Sequence, residues 1–231
     1  MRKTRRRKLA LAFGLLCACS RSFAQVDQFL PEIDLYSRVH HGVRFQFQAS
    51  QTREANQPVQ AEFGPSVEFN SRPLPILIDI AKHDLDKAKT RVAVISIGYR
   101  YLPEANGGAA TNRIQPVATF RTPSTRKLSF SDRSQFEFDW KSHGFTWQYR
   151  NRIRAEGPIR IGRYHPTPYA SIEAYYQSQY GKFSDTAIDV GCLFPIKTHV
   201  QIDSYYQHQN ETGKSPNQQL DQFGLTLNLF F

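Results

Sequence analysis

The last nine residues of the chain alternate between apolar and other side chains. Phe223, Leu225, Leu227, Leu229 and Phe231 are apolar, whereas three of the four residues between them are Gly, Thr and Asn. Period two is typical of a β-strand with one apolar face, because successive side chains point to opposite sides of a sheet. The chain therefore predicts a strand that runs to its last residue. That strand lies either at the edge of a soluble sheet or in a sheet whose outer face meets lipid.

The first 24 residues predict a secretory leader. Six basic residues lie between Arg2 and Lys8, and they precede an apolar stretch over Leu9–Cys19 that is too short to span a bilayer. Ser22–Ala24 has the small-x-small pattern of a cleavage site, so we expect residues 1–24 to be removed and residues 25–231 to form one domain. Lipidation of Cys19 is the alternative, since Cys19 ends a short sequence that loosely resembles a lipobox.

Removal of this leader changes the charge argument. The whole chain has 30 Lys and Arg against 20 Asp and Glu, a net charge of +10, but seven of the basic residues lie in the leader. The remaining 23 basic residues nearly balance 20 acidic ones, so we expect no nucleic-acid partner. Cys192 is the one cysteine left, and His40 and His41 are adjacent and face opposite ways on a strand. We therefore expect no disulfide, no metal site and no cofactor.

Alternating segments with turn residues between them recur along the rest of the chain. Nine of them, together with the terminal strand, predict ten strands, and weaker candidates over Ile33–Val39 and Leu74–Ile80 raise the number to twelve. The preferred fold is an all-β, antiparallel barrel of twelve strands, with ten as the second choice. The nine segments are Val43–Ser50, Val59–Asn70, Arg91–Tyr101, Arg113–Arg121, Leu128–Trp140, Thr146–Glu156, Tyr169–Gln177, Thr186–Phe194 and Val200–Gln207.

A leader followed by amphipathic strands and an aromatic C-terminus is typical of a bacterial outer-membrane β-barrel. The expected partners are outer-membrane lipids and the barrel-assembly machinery, which would read Phe231 and the alternate apolar residues before it. An even number of strands would place both chain ends in the periplasm. The long polar loops Pro103–Ala110 and Asn210–Gln219 would then lie outside, and the short turns Pro123–Arg126 and Pro195–Thr198 inside.

The polar faces of the strands carry many charges, and a barrel in lipid must turn these charges inward. Two interpretations of the run Arg150–Arg154 stay open. Its three arginines form either a ladder that guides an anionic solute through a narrow pore, or a structural network in a plugged lumen. The solute is unknown. The candidate lumen residues are Arg133, Glu137, Asp139, Arg150, Arg152, Arg154 and Glu173.

Several segments resemble an uncharacterised family of bacterial outer-membrane barrel proteins. They are Gly98–Tyr101, Trp147–Arg154, Pro168–Tyr176 and Tyr205–Asn210, and the similarity extends over Arg91–Phe231. The resemblance implies a barrel fold and an outer-membrane location. It implies no activity, and so no functional residue follows from it.

Two other functions stay open as alternatives. Some outer-membrane barrels of this size hydrolyse lipids with a Ser–His pair on the outer wall, and Ser204 and His208 would share a face here. They are four residues apart on one strand, however, which separates them by about 13 Å. A soluble periplasmic β-sandwich that binds a ligand is the other alternative, and its two sheets would share the apolar faces as a core.

Overall fold

The computed structural model describes residues 25–55, 57–104, 109–125, 127–142, 144–213 and 217–231. The leader predicted over residues 1–24 lies outside these ranges. Within them the chain forms eleven strands, which close into one barrel in which each strand pairs with its neighbours in sequence. The all-β barrel is thus confirmed, and the two-sheet sandwich is wrong.

The strands are 10–16 residues long. They are β1 Gln25–His40, β2 Val43–Glu54, β3 Gln57–Asn70, β4 Ala93–Leu102, β5 Thr111–Thr125, β6 Leu128–Lys141, β7 Gly144–Glu156, β8 Thr167–Gln177, β9 Lys182–Lys197, β10 Val200–Glu211 and β11 Gln218–Phe230.

The prediction of twelve strands is wrong because Leu74–Ile80 is not a strand. Pro75 begins a short helix, α1, which spans Pro75–Ile80. Proline favours the first turn of a helix, and the buried Leu77 and Ile80 are three residues apart, which places them on one helical face. A 3₁₀ helix follows at Lys87–Thr90. No helix in the described ranges is long and apolar enough to cross a membrane.

An odd number of strands determines how the barrel closes. Consecutive strands run in opposite directions, so the first and the eleventh strands run the same way and must pair in parallel. β1 and β11 do so over twelve residue pairs, from Gln25 with Gln219 to Tyr36 with Phe230. Gln25 and Phe231 therefore lie at opposite ends of the barrel. The prediction that both chain ends share one side, which rested on an even number of strands, is wrong.

The connections divide between the two ends as the sequence predicted. We call the end at which Phe231 lies the terminal end. The short connections after β5 and β9 are at the terminal end, and the long connections after β4 and β10 are at the opposite end. The terminal end also holds residues 71–92, which contain α1 and the 3₁₀ helix. The bridge between Pro73 and Arg91 closes the base of this segment.

The two faces of the wall differ sharply in chemistry. Outward side chains of β11 include Phe223, Leu225, Leu227 and Leu229, whereas the inward Gln222, Thr226 and Asn228 are buried. The same separation holds around the ring. The most exposed outward side chains of the wall, all above one half exposed, include Phe69, Ile95, Ile97, Phe120, Ile153, Ile172, Phe183, Ile188, Val190 and Phe223.

Tyrosine rings fill one sector of the interior by lying on glycines. Tyr205 of β10 is directly opposite Gly191 of β9 and Gly224 of β11, and Tyr169 of β8 also faces Gly191. A Cβ atom at Gly224 would lie 2.0 Å from Cζ of Tyr205, and one at Gly191 would lie 2.5 Å from the Tyr169 ring. Glycine is therefore required at both positions, because any side chain would occupy the space of a ring.

We expect Gly224→Ala to lower the free energy of unfolding by about 1–3 kcal/mol, because the new methyl group overlaps the Tyr205 ring. Thermal unfolding of the purified protein in detergent measures this loss. In a Tyr205→Ala background the same change should cost much less, since the overlapping ring is gone. Equal losses in the two backgrounds would contradict this explanation.

Candidate functional site

A network of ion pairs joins five strands on the inner wall. Arg113 binds both carboxylate oxygens of Asp139, at 2.7 and 3.0 Å, and also contacts Glu62 at 3.1 Å and Glu137 at 3.0 Å. Arg150 continues the network, with Nη1 3.0 Å from Glu137 and Nε 3.1 Å from Glu173. These contacts tie β3, β5, β6, β7 and β8 together across a surface from which much of the water is excluded.

The structure places all seven predicted lumen residues on the inner wall, but only some of them belong to the network of ion pairs. Arg150 pairs with Glu137 and Glu173. Asp139 pairs instead with Arg113 of β5, on the other side of its own strand. Arg133 and Arg152 have no carboxylate within 4.0 Å among the described residues. In the run Arg150–Arg154, Arg150 is therefore paired with carboxylates, whereas Arg152 and Arg154 have no ion pair among the described residues.

Arg154 is held by an aromatic ring rather than by an acid. Its guanidinium carbon lies 3.9 Å from the centroid of the Tyr169 ring, which is a cation–π contact. The Tyr169 hydroxyl donates to Asp203, with oxygen distances of 2.9 and 3.1 Å. The Nε atom of Arg154 is buried and has no hydrogen-bond partner in the described part of the chain.

Arg100 is an inner-wall residue that the sequence did not single out. It is 3% exposed and donates to the backbone carbonyls of Gly64, Pro65 and Tyr99, at 2.9–3.1 Å. These carbonyls lie where the register between β3 and β4 is interrupted, beside a proline that cannot donate to the ladder. Arg100 therefore has a structural role. The pair Gly64-Pro65 inside a strand was the sequence signal for it.

Residues 71–92 fold into the lumen at the terminal end, and we call them the plug. Lys89 is its central anchor, with Nζ 2.8 Å from Asp84 within the plug and 3.0 Å from Glu156 of β7. Gln201 of β10 donates to Asp84 at 3.0 Å. On the other side, Arg44 of β2 lies 2.5 Å from Asp86. The plug thus makes polar contacts with walls on several sides of the barrel.

The charge on Asp86 is strongly favoured in this setting. Burial raises the pKa of this carboxyl, but the positive charges of Arg44, Arg121 and Lys89 outweigh burial and lower the pKa to about 2. An unfolded chain would protonate an aspartate near pH 3.9. The contribution of Asp86 to stability is therefore complete above that pH and is lost as the pH falls towards 2.

Two histidines link the plug to the neighbouring loop at the terminal end. The rings of His83 and His165 stack with 3.7 Å between their centroids. Desolvation and repulsion from His165 lower the pKa of His83, and nearby Lys82 adds to the effect. The stack therefore favours neutral imidazole. Its contribution to stability is complete above about pH 6.5 and falls as the pH drops through the lowered pKa.

A polar cavity of about 540 Å³ lies above the plug. Ala88 and Lys89 of the plug form its floor, and its walls extend to Thr52 and Gln209 near the opposite end. Its lining includes Arg133 and Arg152 as well as the paired residues described above. A cavity of this size and polarity has room for a small hydrophilic molecule.

His208, one of the pair considered for a lipid hydrolase, bonds to an acid. Its Nδ1 lies 2.7 Å from Oδ1 of Asp221, and the Tyr206 hydroxyl donates to the same oxygen at 2.6 Å. Ser204 makes no hydrogen bond to His208 in the described part of the chain.

The chain matches the model of one protein family over residues 87–220, and this family is described as a protein of unknown function, DUF2490. The match covers more than half of the chain, from the 3₁₀ helix of the plug into β11. The chain therefore belongs to the DUF2490 family, which agrees with its resemblance to an uncharacterised family of barrels. No curated protein matches the chain.

We expect Lys89→Met to destabilise the protein by about 3–5 kcal/mol, because it leaves Asp84 and Glu156 buried without their shared cation. Denaturant unfolding in detergent measures the change. Lys82→Met is the matched control, since Lys82 is exposed, and it should have little effect. Adding Glu156→Gln to Lys89→Met should restore part of the loss. Equal stability of the two Lys→Met variants would contradict the anchoring role of Lys89.

Proposed function

We propose that this member of the DUF2490 family is an integral barrel of the bacterial outer membrane, with a polar lumen that the plug closes at one end. The observation that carries the proposal is the outer wall. Apolar side chains are exposed on it around the ring, while the inner wall is charged. This arrangement suits a lipid environment, because charges are costly on the lipid face and are tolerated inside.

Three isoleucines form a continuous apolar surface in the middle of β8 and its two neighbours. Ile153, Ile172 and Ile188 are paired side by side on β7, β8 and β9, and their exposed fractions are 56%, 64% and 56%. A contiguous apolar surface of this kind is unusual on a soluble monomer. An apolar band about 25 Å tall is what the wall of a membrane barrel presents to lipid.

The terminal strand supports a direction of insertion. Phe231 and the alternate residues Phe223 to Leu229 lie on the outer face, where the assembly machinery and lipid can reach them. With Phe231 on the periplasmic side, the plug also lies on that side, and both long loops lie outside the cell. A cleaved leader over residues 1–24 would deliver the barrel to the periplasm for insertion.

The plug favours a closed lumen over a permanently open pore. Barrels of eight strands are filled by side chains and barrels of 16–18 strands hold water channels, so eleven strands leave an intermediate interior. Here the plug fills the terminal end, and its anchors reach β2, β7 and β10. The lumen therefore functions as a closed vestibule unless the plug moves.

We expect Ile172→Arg to reduce the amount of folded protein in the outer membrane, because an arginine near the middle of the lipid face costs about 2–4 kcal/mol. The comparison of boiled and unboiled samples on a gel, after fractionation of the membranes, measures the folded barrel. Ile172→Leu is the matched control and should behave like the wild type. A soluble barrel would tolerate Arg at this exposed position, so unchanged folded protein would contradict the membrane location.

We expect the wild-type protein to be silent in a planar lipid bilayer and a variant without the plug to conduct. Pro73 and Arg91 are bridge partners, so a two-residue turn can replace residues 74–90 and complete a hairpin. Heat-modifiable migration of the variant would show that its barrel is intact. An intact variant that stays silent would contradict the plug as the barrier, and steady conductance of the wild type would contradict closure.

A further inference from the structure

Arg133 and Arg152 form a pair of like charges inside the barrel. They are directly opposite each other on β6 and β7, and both line the cavity. Like charges directly opposite each other on neighbouring strands are destabilising. Because β6 and β7 are otherwise joined by favourable contacts, such as Arg150 with Glu137, this position stands out from its surroundings.

The nearest acids bond to other groups and not to the pair. Glu173 is directly opposite Arg152 on β8, but its carboxylate is bonded to Arg150 and accepts from the Tyr175 hydroxyl at 2.9 Å. Asp189 accepts from Ser171 at 2.7 Å. In the ranges that the structure describes, the side chains of Arg133 and Arg152 make neither an ion pair within 4.0 Å nor a hydrogen bond.

A third cation lies beside the pair. Arg154 is two residues beyond Arg152 on the same face of β7, and it also lines the cavity. Its guanidinium is fixed on the ring of Tyr169, and its buried Nε has no partner among the described residues. Three guanidinium groups with unused donors therefore face the same cavity. A guanidinium offers donors in a planar fork that matches the oxygens of phosphate and carboxylate groups.

The opposite wall presents acidic side chains instead of arginines. Four strands separate β1 from β6 in one direction and from β7 in the other, so β1 faces this pair across the barrel. Glu32 and Asp34 of β1 line the same cavity, and both accept hydrogen bonds from glutamines, at 2.8 and 3.0 Å. An anion in the cavity therefore finds guanidinium donors on the β6–β7 side rather than on β1.

We propose that Arg133, Arg152 and Arg154 form a binding site for a small oxyanion, a phosphate or carboxylate group carried by a hydrophilic solute in the cavity. The bound group bridges Arg133 and Arg152 and relieves their repulsion, while Arg154 supplies further donors. This proposal concerns binding and is separate from the proposed membrane location and the closed lumen of the barrel. The site lies on the inner wall alone, so its binding can be measured in detergent, where the result does not depend on membrane insertion or on conductance.

The test is calorimetric titration of the purified full-length protein in detergent with inorganic phosphate, and separately with acetate, at constant ionic strength. We expect the wild type to bind at least one of these probes. Arg133→Gln and Arg152→Gln should each weaken that binding about tenfold or more, since a hydrogen bond to a charged group is lost. Arg72→Gln is the control, because Arg72 is exposed outside the barrel wall, and it should bind like the wild type. Which probe binds more tightly distinguishes a phosphate from a carboxylate.

Unfolding of the ligand-free variants separates a binding site from a structural pair. If the pair is kept for a ligand, Arg152→Gln removes a repulsion, and the unfolding temperature should stay the same or rise while affinity falls. Arg152→Lys keeps the charge but loses the fork, and it should bind with intermediate affinity. Absence of binding by the wild type, equal affinities in all the variants, or a lower unfolding temperature of ligand-free Arg152→Gln would overturn the proposal.

Discussion

The parallel pairing of β1 with β11 is the contact on which the rest of the molecule depends. It removes the last two free edges of the sheet, so every strand within the described ranges has two neighbours. Once the ring is closed, the alternation along each strand becomes a separation between outside and inside. The apolar residues then lie on the outer face, and the charged residues lie inside, close to one another. Closure with eleven strands also determines the width of the lumen and places the two ends of the barrel domain on opposite sides.

The inside of the barrel then has to accommodate its charges, and it does so unevenly. Arg113, Arg150 and Lys89 are each surrounded by two or more carboxylates, and these contacts hold the wall and the plug together. Arg133 and Arg152 face each other without such compensation. Natural proteins commonly depart from local rules at functional sites, where stability is given up for binding. The contrast between the paired arginines and Arg133 and Arg152 is thus the observation on which the proposed oxyanion site depends.

Much of the wall could be predicted from the sequence, because period-two alternation reports directly which side chains share a face. That pattern shows that Arg150, Arg152 and Arg154 share one face of their strand, and that Phe223, Leu225, Leu227 and Leu229 share one face of theirs. Which face points inward follows once the sheet is taken to be a barrel in lipid. The plug could not be predicted in the same way. Leu74–Ile80 is short and apolar, and only Pro75 and the three-residue spacing of Leu77 and Ile80 distinguish it from a strand. Pairing between residues far apart in the sequence, as between Lys89 and Glu156 or Asp139 and Arg113, depends on strand register and closure, which no local pattern encodes.

The central claim is that the outer wall faces lipid while the inner wall faces a polar lumen. Neighbouring residues in the middle of β4 test it most directly, because Ser96 lines the cavity and Ile97 is exposed on the outside. Each is changed to cysteine in a Cys192→Ser background, and the outer membranes are treated with a lipid-soluble or a small water-soluble thiol reagent. We expect the lipid-soluble reagent to label Ile97→Cys and to leave Ser96→Cys unlabelled. Labelling of Ser96→Cys from the lipid phase, or of Ile97→Cys by the water-soluble reagent alone, would contradict it.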